Sequence, residues 1–199
     1  GLAMTRNFIL ILFLFSLSSC VHAPAVKTDT SAQAKEINRQ GALLANDGKW
    51  EEAVKLFRRA LAVNPYDGAA YNNLGYYYQQ KGKISRAVKE YQNALKFSAD
   101  PVVLRQANMN LANIYIDKNI KPPVRRPNWP ELAAGCLNAL IKQEPDNAVF
   151  HLYLAYAYFD AANPGGAFEH LDKASSLAKT KNEIWIHEKI RDLYVSIHM

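Results

Sequence analysis

Cysteine is scarce: Cys20 and Cys136 are the two in 199 residues, too few for a disulfide-stapled scaffold. Glycine and proline number nine each, against eleven tyrosines, a balance that disfavours a turn-rich sandwich and suits packed helices carrying aromatic rings. Acids are outnumbered, 18 to 24 bases, yet the net charge of +6 is too dilute for a nucleic-acid footprint. Long apolar runs are missing apart from one near the N-terminus, which excludes a multi-span membrane protein. Catalytic signatures are missing as well. There is no GxxxxGK, no HExxH and no nucleophile and base at motif spacing. His22, His151, His170, His187 and His198 match no metal-ligand spacing, so the sequence points to no enzyme, no cofactor and no small-molecule substrate. What remains is a chain long enough to bury its own core.

The one apolar run follows Met4 and Arg6 and extends from Phe8 to Leu17. That is about half of the roughly 20 residues a membrane-crossing helix needs, so it reads as an export signal over residues 1–19. Leu17-Ser18-Ser19-Cys20 resembles the bacterial lipobox. The resemblance implies cleavage before Cys20, a diacylglyceryl thioether on its thiol and an acylated new amino group, giving a lasting membrane anchor. An ordinary cleaved signal with an incidental cysteine is the alternative. Residue 21 is Val rather than the Asp that favours inner-membrane retention in enterobacterial lipoproteins, which implies the periplasmic face of the outer membrane. Cleavage removes one Arg and leaves 23 bases against 18 acids, a mildly basic body of +5. Residues 20–33, rich in Pro, Ala, Thr and Ser, read as a flexible tether.

Beyond the tether the sequence repeats. Gly41 and Gly75, Gly48 and Gly82, Ala53 and Ala87, Phe57 and Tyr91, and Ala60 and Ala94 are all separated by 34 residues. Leu74, Gly75 and Tyr78 fall on one helical face, and Ala53, Phe57 and Ala60 form an answering stripe with small residues where two helices approach. Gly48 and Gly82 stand where a first helix must end in a left-handed residue, and Pro65 closes the unit. These residues resemble the tetratricopeptide repeat. The resemblance implies an all-α solenoid of four helix pairs over residues 34–181.

The third and fourth units are marked by Leu111-Ala112 with Tyr115 and by Leu154-Ala155 with Tyr158. Ala133, Leu137 and Leu140 precede Ala167, Leu171 and Ala174 by 34, so nine extra residues lie inside the third unit, in 119–128, where Pro122, Pro123 and Pro127 forbid helix. Ile186, Ile190, Leu193 and Ile197 share one face of residues 182–199, which reads as a capping helix. His151 reads as a core histidine and Cys136 as a packed thiol. Asn163-Pro164-Gly165-Gly166 reads as the turn of the fourth unit.

The family binds peptides or partner helices on its inner surface. Carried over by position, that surface holds Asn38, Asn72, Asn73, Tyr76, Gln80, Asn110, Asn113, Tyr153 and Tyr156, and of these Asn73, Tyr76, Asn110 and Tyr156 carry amides and rings that the packing does not require. The basic groups with which the chaperone-binding subfamily grips a terminal carboxylate have no counterpart there. Amides suit an extended peptide backbone instead. A second candidate surface is the insertion, where Lys118, Lys121, Arg125 and Arg126 form a stiff basic loop able to meet anionic lipid or an acidic partner, or simply a solvated elaboration. The expectation is a lipid-anchored, non-catalytic protein-binding adaptor. By architecture it resembles pilotins, which escort secretin subunits of type IV pili or secretion systems. An accessory scaffold for outer-membrane or cell-wall assembly enzymes, and a hydrolase with an unrecognised site, are the other readings.

Overall fold

The computed structural model describes residues 29–121, 124–181 and 183–198. The expected signal segment, Cys20, the tether as far as residue 28, and Pro122 and Pro123 lie outside the described residues. Among the described residues nine α-helices follow one another with no strand: α1 (Thr30–Asn46), α2 (Trp50–Val63), α3 (Gly68–Gln80), α4 (Ile84–Phe97), α5 (Pro101–Ile116), α6 (Trp129–Gln143), α7 (Ala148–Asp160), α8 (Pro164–Lys181) and α9 (Ile184–His198). Helix α1 begins at Thr30, so four residues of the expected tether are helical. Asp29 opens it by accepting the Ser31 amide at 3.0 Å.

The same device opens the first helix of every later pair. Asp67, Asp100 and Asn147 accept the amides of Ala70, Val102 and Val149 at 3.2, 2.8 and 3.1 Å, each satisfying an N-terminal N–H with no intrahelical partner. The helices inside a pair are joined differently. Gly48 and Gly82 take φ of +77° and +68°, and the next amide, Lys49 or Lys83, reaches back five residues to the carbonyl of Leu44 or Tyr78 at 2.8 Å. In the fourth pair Ala162 occupies this left-handed position at φ +55°, although Gly165 and Gly166 lie close by in sequence.

Within each pair the small residues set the separation. Ala53, Ala60, Ala87, Ala94, Ala133, Ala167 and Ala174 are fully buried, with Phe57, Tyr91, Leu137 and Leu171 between them. A Cβ on Gly75 would lie 2.6 Å from Tyr91 Cδ1, and one on Gly41 would lie 2.7 Å from Phe57 Cε1, so α3 and α1 approach their partners as only glycine allows. Between pairs, α1 touches α3, α3 touches α5, α5 touches α7 and α7 touches α9, whereas no two of α2, α4, α6 and α8 touch. First helices therefore crowd on the inner side and second helices fan out on the convex side, which bends the array. Helix α9 stands where a fifth first helix would be, and Ile186, Ile190 and Leu193 cover the end of α7 and α8.

The extra residues of the third pair form residues 117–128. Ile120 and Val124 of this loop pack on the main core, and Trp129, at the head of α6, is buried against Tyr115 with ring centroids 5.2 Å apart. The loop is thus anchored to the core rather than lying outside it.

Substituting Gly75→Leu should lower stability by about 1 to 3 kcal/mol by overpacking against Tyr91. Gly135→Ala, where a Cβ meets no atom within 4 Å inside α6, should instead be neutral or raise stability by up to about 1 kcal/mol. Thermal melts followed by circular dichroism would register both, and equal melts for the two variants would contradict the register.

Candidate functional site

On the inner face, amides of successive first helices meet one another. Asn73 donates from Nδ2 to Asn38 Oδ1 at 2.9 Å, Asn72 donates to Gln106 Oε1 at 3.3 Å, and Asn110 donates to Asn72 Oδ1 at 3.5 Å. Asn38 and Asn72 are buried. The expectation that Asn73 and Asn110 stand free of the fold is therefore corrected: with Asn38 and Asn72 they join α1, α3 and α5. A buried side-chain amide requires a partner, and the next repeat supplies it. Each amide holds more than one hydrogen-bonding atom, so the row keeps unused donors and acceptors along the groove.

The tyrosines divide in the same way. Tyr76 is 43% exposed, with its ring 5.7 Å from that of Trp50, and together with Asn73, Ala42 and Asn46 they line a cavity of about 270 Å³ at the N-terminal end of the face. Tyr156 donates its hydroxyl to the Lys189 carbonyl of α9 at 3.3 Å, and burial, then the Asp192 carboxylate, hold its phenol above the usual range. Tyr153 packs against the core beside it. Tyr156 therefore fastens the capping helix, a role its sequence position did not disclose. Both tyrosines still border a cavity of about 360 Å³ with Ile116, Lys118 and Asp160. Gln80 and Asn113 are exposed, and Leu152, at an inner-face position by register, is wholly buried.

The basic loop is only partly free. Arg125 donates from Nη1 to the Tyr115 and Asp117 carbonyls, each at 3.0 Å, covering the C-terminal end of α5. Its Nη2 also lies 3.6 Å from Asp160 Oδ2, and Lys118 Nζ lies 2.9 Å from Asp160 Oδ1. For Arg125 and Lys118 the alternative of a merely solvated elaboration is thus set aside. Lys121 and Arg126 are exposed. Asp160 was missed by sequence reasoning, although an acid two residues after Tyr158, where the second unit has Gln80, is a readable departure from the pattern.

His151 is 5% exposed and sits against His170, their Nδ1 atoms 2.9 Å apart, with its Nε2 3.0 Å from the Pro145 carbonyl. A carbonyl only accepts, so His151 carries its proton on Nε2 and His170 donates from Nδ1. Burial, then the neighbouring imidazole, lower the pKa of His170, while Glu169 opposes them. Burial pushes the Cys136 thiol up to about 12, the state of an unreactive packed thiol. Among the described residues no group of three or more His, Cys, Asp or Glu is placed to hold a metal, and no helix is long and apolar enough to cross a membrane.

Against this geometry, residues 38–102 and 130–179 match the tetratricopeptide repeat family model, more than half of the chain. A search of curated protein sequences finds no match. Solved structures with the same fold include MamA 41-end from Desulfovibrio magneticus RS-1, at 16% identity, TM-score 0.55, covering 85% of this chain and 94% of that one. TTC0263, a thermophilic TPR protein of Thermus thermophilus, aligns at 22% identity, TM-score 0.50 and 82% of both chains. A chain of the APC/C hetero-tetramer Cut9-Hcn1 aligns at 22% identity and TM-score 0.57, covering 79% of this chain but 29% of that one.

Arg125→Ala should destabilise by about 1 to 3 kcal/mol, because two carbonyls at the end of α5 lose a charged donor, whereas Lys121→Glu should stay within about 0.5 kcal/mol of wild type. Urea melts would compare them, and equal midpoints would contradict the clamp. The histidine pair sets a pH dependence. A His whose folded pKa lies below its unfolded value near 6.5 leaves stability intact above that pH, and stability falls as the pH drops below it. His170→Gln should flatten the stability profile as the pH falls below about 6.5. An unchanged slope in denaturant melts below that pH would remove the pair as its cause.

Proposed function

Because the chain belongs to the tetratricopeptide-repeat family, in general a non-catalytic scaffold for protein–protein interactions, we propose that it is an adaptor holding a segment of a protein partner in its inner groove at a membrane surface. The observation that carries this reading is the mixed inner face. Exposed Tyr76, Gln80 and Asn113 lie beside a row of amides already oriented by one another. Oriented amides meet a peptide backbone without first losing the entropy of being ordered, and a half-exposed tyrosine against Trp50 offers an aromatic anchor. The surface address rests on the lipobox Leu17-Ser18-Ser19-Cys20, which supports acylation of Cys20 and residence on the periplasmic face of the outer membrane. An anchored helical-repeat adaptor of this kind suits a pilotin-like part in pilus or secretion assembly.

Pull-down from membranes with the full chain, followed by affinity measurement on the recovered partner, tests the groove. Tyr76→Ala, Gln80→Ala and Asn113→Ala together should weaken binding by about 2 kcal/mol or more without shifting the melt, since all three side chains are exposed. Retained affinity would move the site off the inner face. For the address, Cys20→Ser should abolish fatty-acid incorporation and release the protein from the membrane fraction. Continued sedimentation with outer membrane would contradict the anchor.

A further inference from the structure

On the convex side the insertion builds a cavity that a regular 34-residue array lacks. It has a volume of about 330 Å³ and lies between α4, the loop and the start of α6. Lys89 of α4 and Arg126 of the loop both line it, as do Asn128 and Ser85. None of the described residues lining it is acidic. The acids closest in sequence, Glu90 and Glu131, do not line it, and Glu90 accepts a hydrogen bond from Asn93 at 3.2 Å. Neither Lys89 nor Arg126 forms an ion pair with any described residue, unlike Arg125 and Lys118 of the same loop.

The wall of the cavity supplies a further donor. Tyr115, 2% exposed, accepts Gln92 Nε2 at its hydroxyl at 3.2 Å, and its own O–H has no acceptor among the described residues. Burial raises the pKa of this phenol, so the O–H remains a donor at every physiological pH. A buried hydroxyl with an unused proton at the wall of a site rimmed by two unpaired cations awaits an anionic acceptor. Donors approaching from α4, α5, the loop and the α6 cap match a group with three outward oxygens better than a flat carboxylate. Val88, Val124 and Trp129 supply apolar wall beside the donors, and the volume exceeds that of a bare phosphate, leaving room for an organic body. The clamp made by Arg125 on the carbonyls of α5 holds the loop wall in place.

We propose that this cavity binds a phosphoryl group carried on an organic body, either the headgroup of an anionic phospholipid or a soluble phosphate ester. It lies apart from the inner groove, so its test is independent of the partner-binding reading. The full chain is titrated calorimetrically with glycerol 3-phosphate, inorganic phosphate and dihexanoyl phosphatidylglycerol below its micelle concentration. Saturable binding that weakens with salt is expected, and Lys89→Ala or Arg126→Ala should each reduce affinity about tenfold without altering the melt, both residues being exposed. Tyr115→Phe keeps the ring and should reduce affinity about threefold. Tighter binding of the short-chain lipid than of glycerol 3-phosphate identifies the membrane headgroup as the source, and equal affinities identify a soluble ester. No saturable binding of any of the three, binding indifferent to both cation variants, or occupancy by a glutamate-rich peptide that the phosphates fail to displace would overturn the proposal.

Discussion

Everything in this array depends on how closely the two helices of a pair can approach. In the first two pairs the separation is fixed by one contact, the backbone of Gly41 or Gly75 against the ring of Phe57 or Tyr91. Because the ring lies on backbone, alanines on either side can meet the facing helix and are fully buried. The same closeness determines the link between the helices. Two helices held this near leave room for a turn of a few residues, which must pass through a left-handed conformation at Gly48 and Gly82. Where Ala162 replaces glycine, that conformation carries a steric cost of about 1 to 2 kcal/mol, so the fourth pair relies more on its packing.

Curvature follows from the same asymmetry. First helices touch one another and second helices do not, so polar side chains on the inner side come within hydrogen-bonding distance of the next repeat. The amide row running through Asn38, Asn73, Asn72, Gln106 and Asn110 results from this. Its members stabilise the bend and present oriented donors and acceptors at once, so stability and recognition are not separable at these positions. They do separate at Tyr76, Gln80 and Asn113, which are exposed.

The 34-residue offset made the pairs, their stripes and the place of the insertion legible, because each depends on residues whose spacing is imposed by helix geometry. The left-handed glycines were legible for the same reason. Interactions between units were harder to read. Asn73 and Asn38 lie 35 residues apart and Asn110 and Asn72 lie 38 apart, distances near the period, yet only the bend brings their amides together. Tyr156 falls on the inner face by register, but which side of a tyrosine α9 would cover depends on the angle at which that helix packs. The contact between His151 and His170 carries no motif, since it joins side chains 19 residues apart on the two helices of one pair.

The insertion shows how an irregularity is made compatible with a regular array. Its cations looked equivalent in sequence, and the structure gives them different work. Arg125 covers the exposed carbonyls at the end of α5, where an interrupted repeat would leave them without partners, and Asp160 gathers Arg125 and Lys118 from the neighbouring unit. Ile120 and Val124 add apolar burial to hold the backbone down. Arg126 of the same loop takes no part in these contacts and is exposed. With Lys89 it lines a cavity whose wall includes a buried hydroxyl. A departure from the repeat that merely lengthened a turn would need none of this support, and the contacts made by Lys118, Ile120, Val124 and Arg125 are therefore the reason to treat the cavity beside them as a site rather than a by-product.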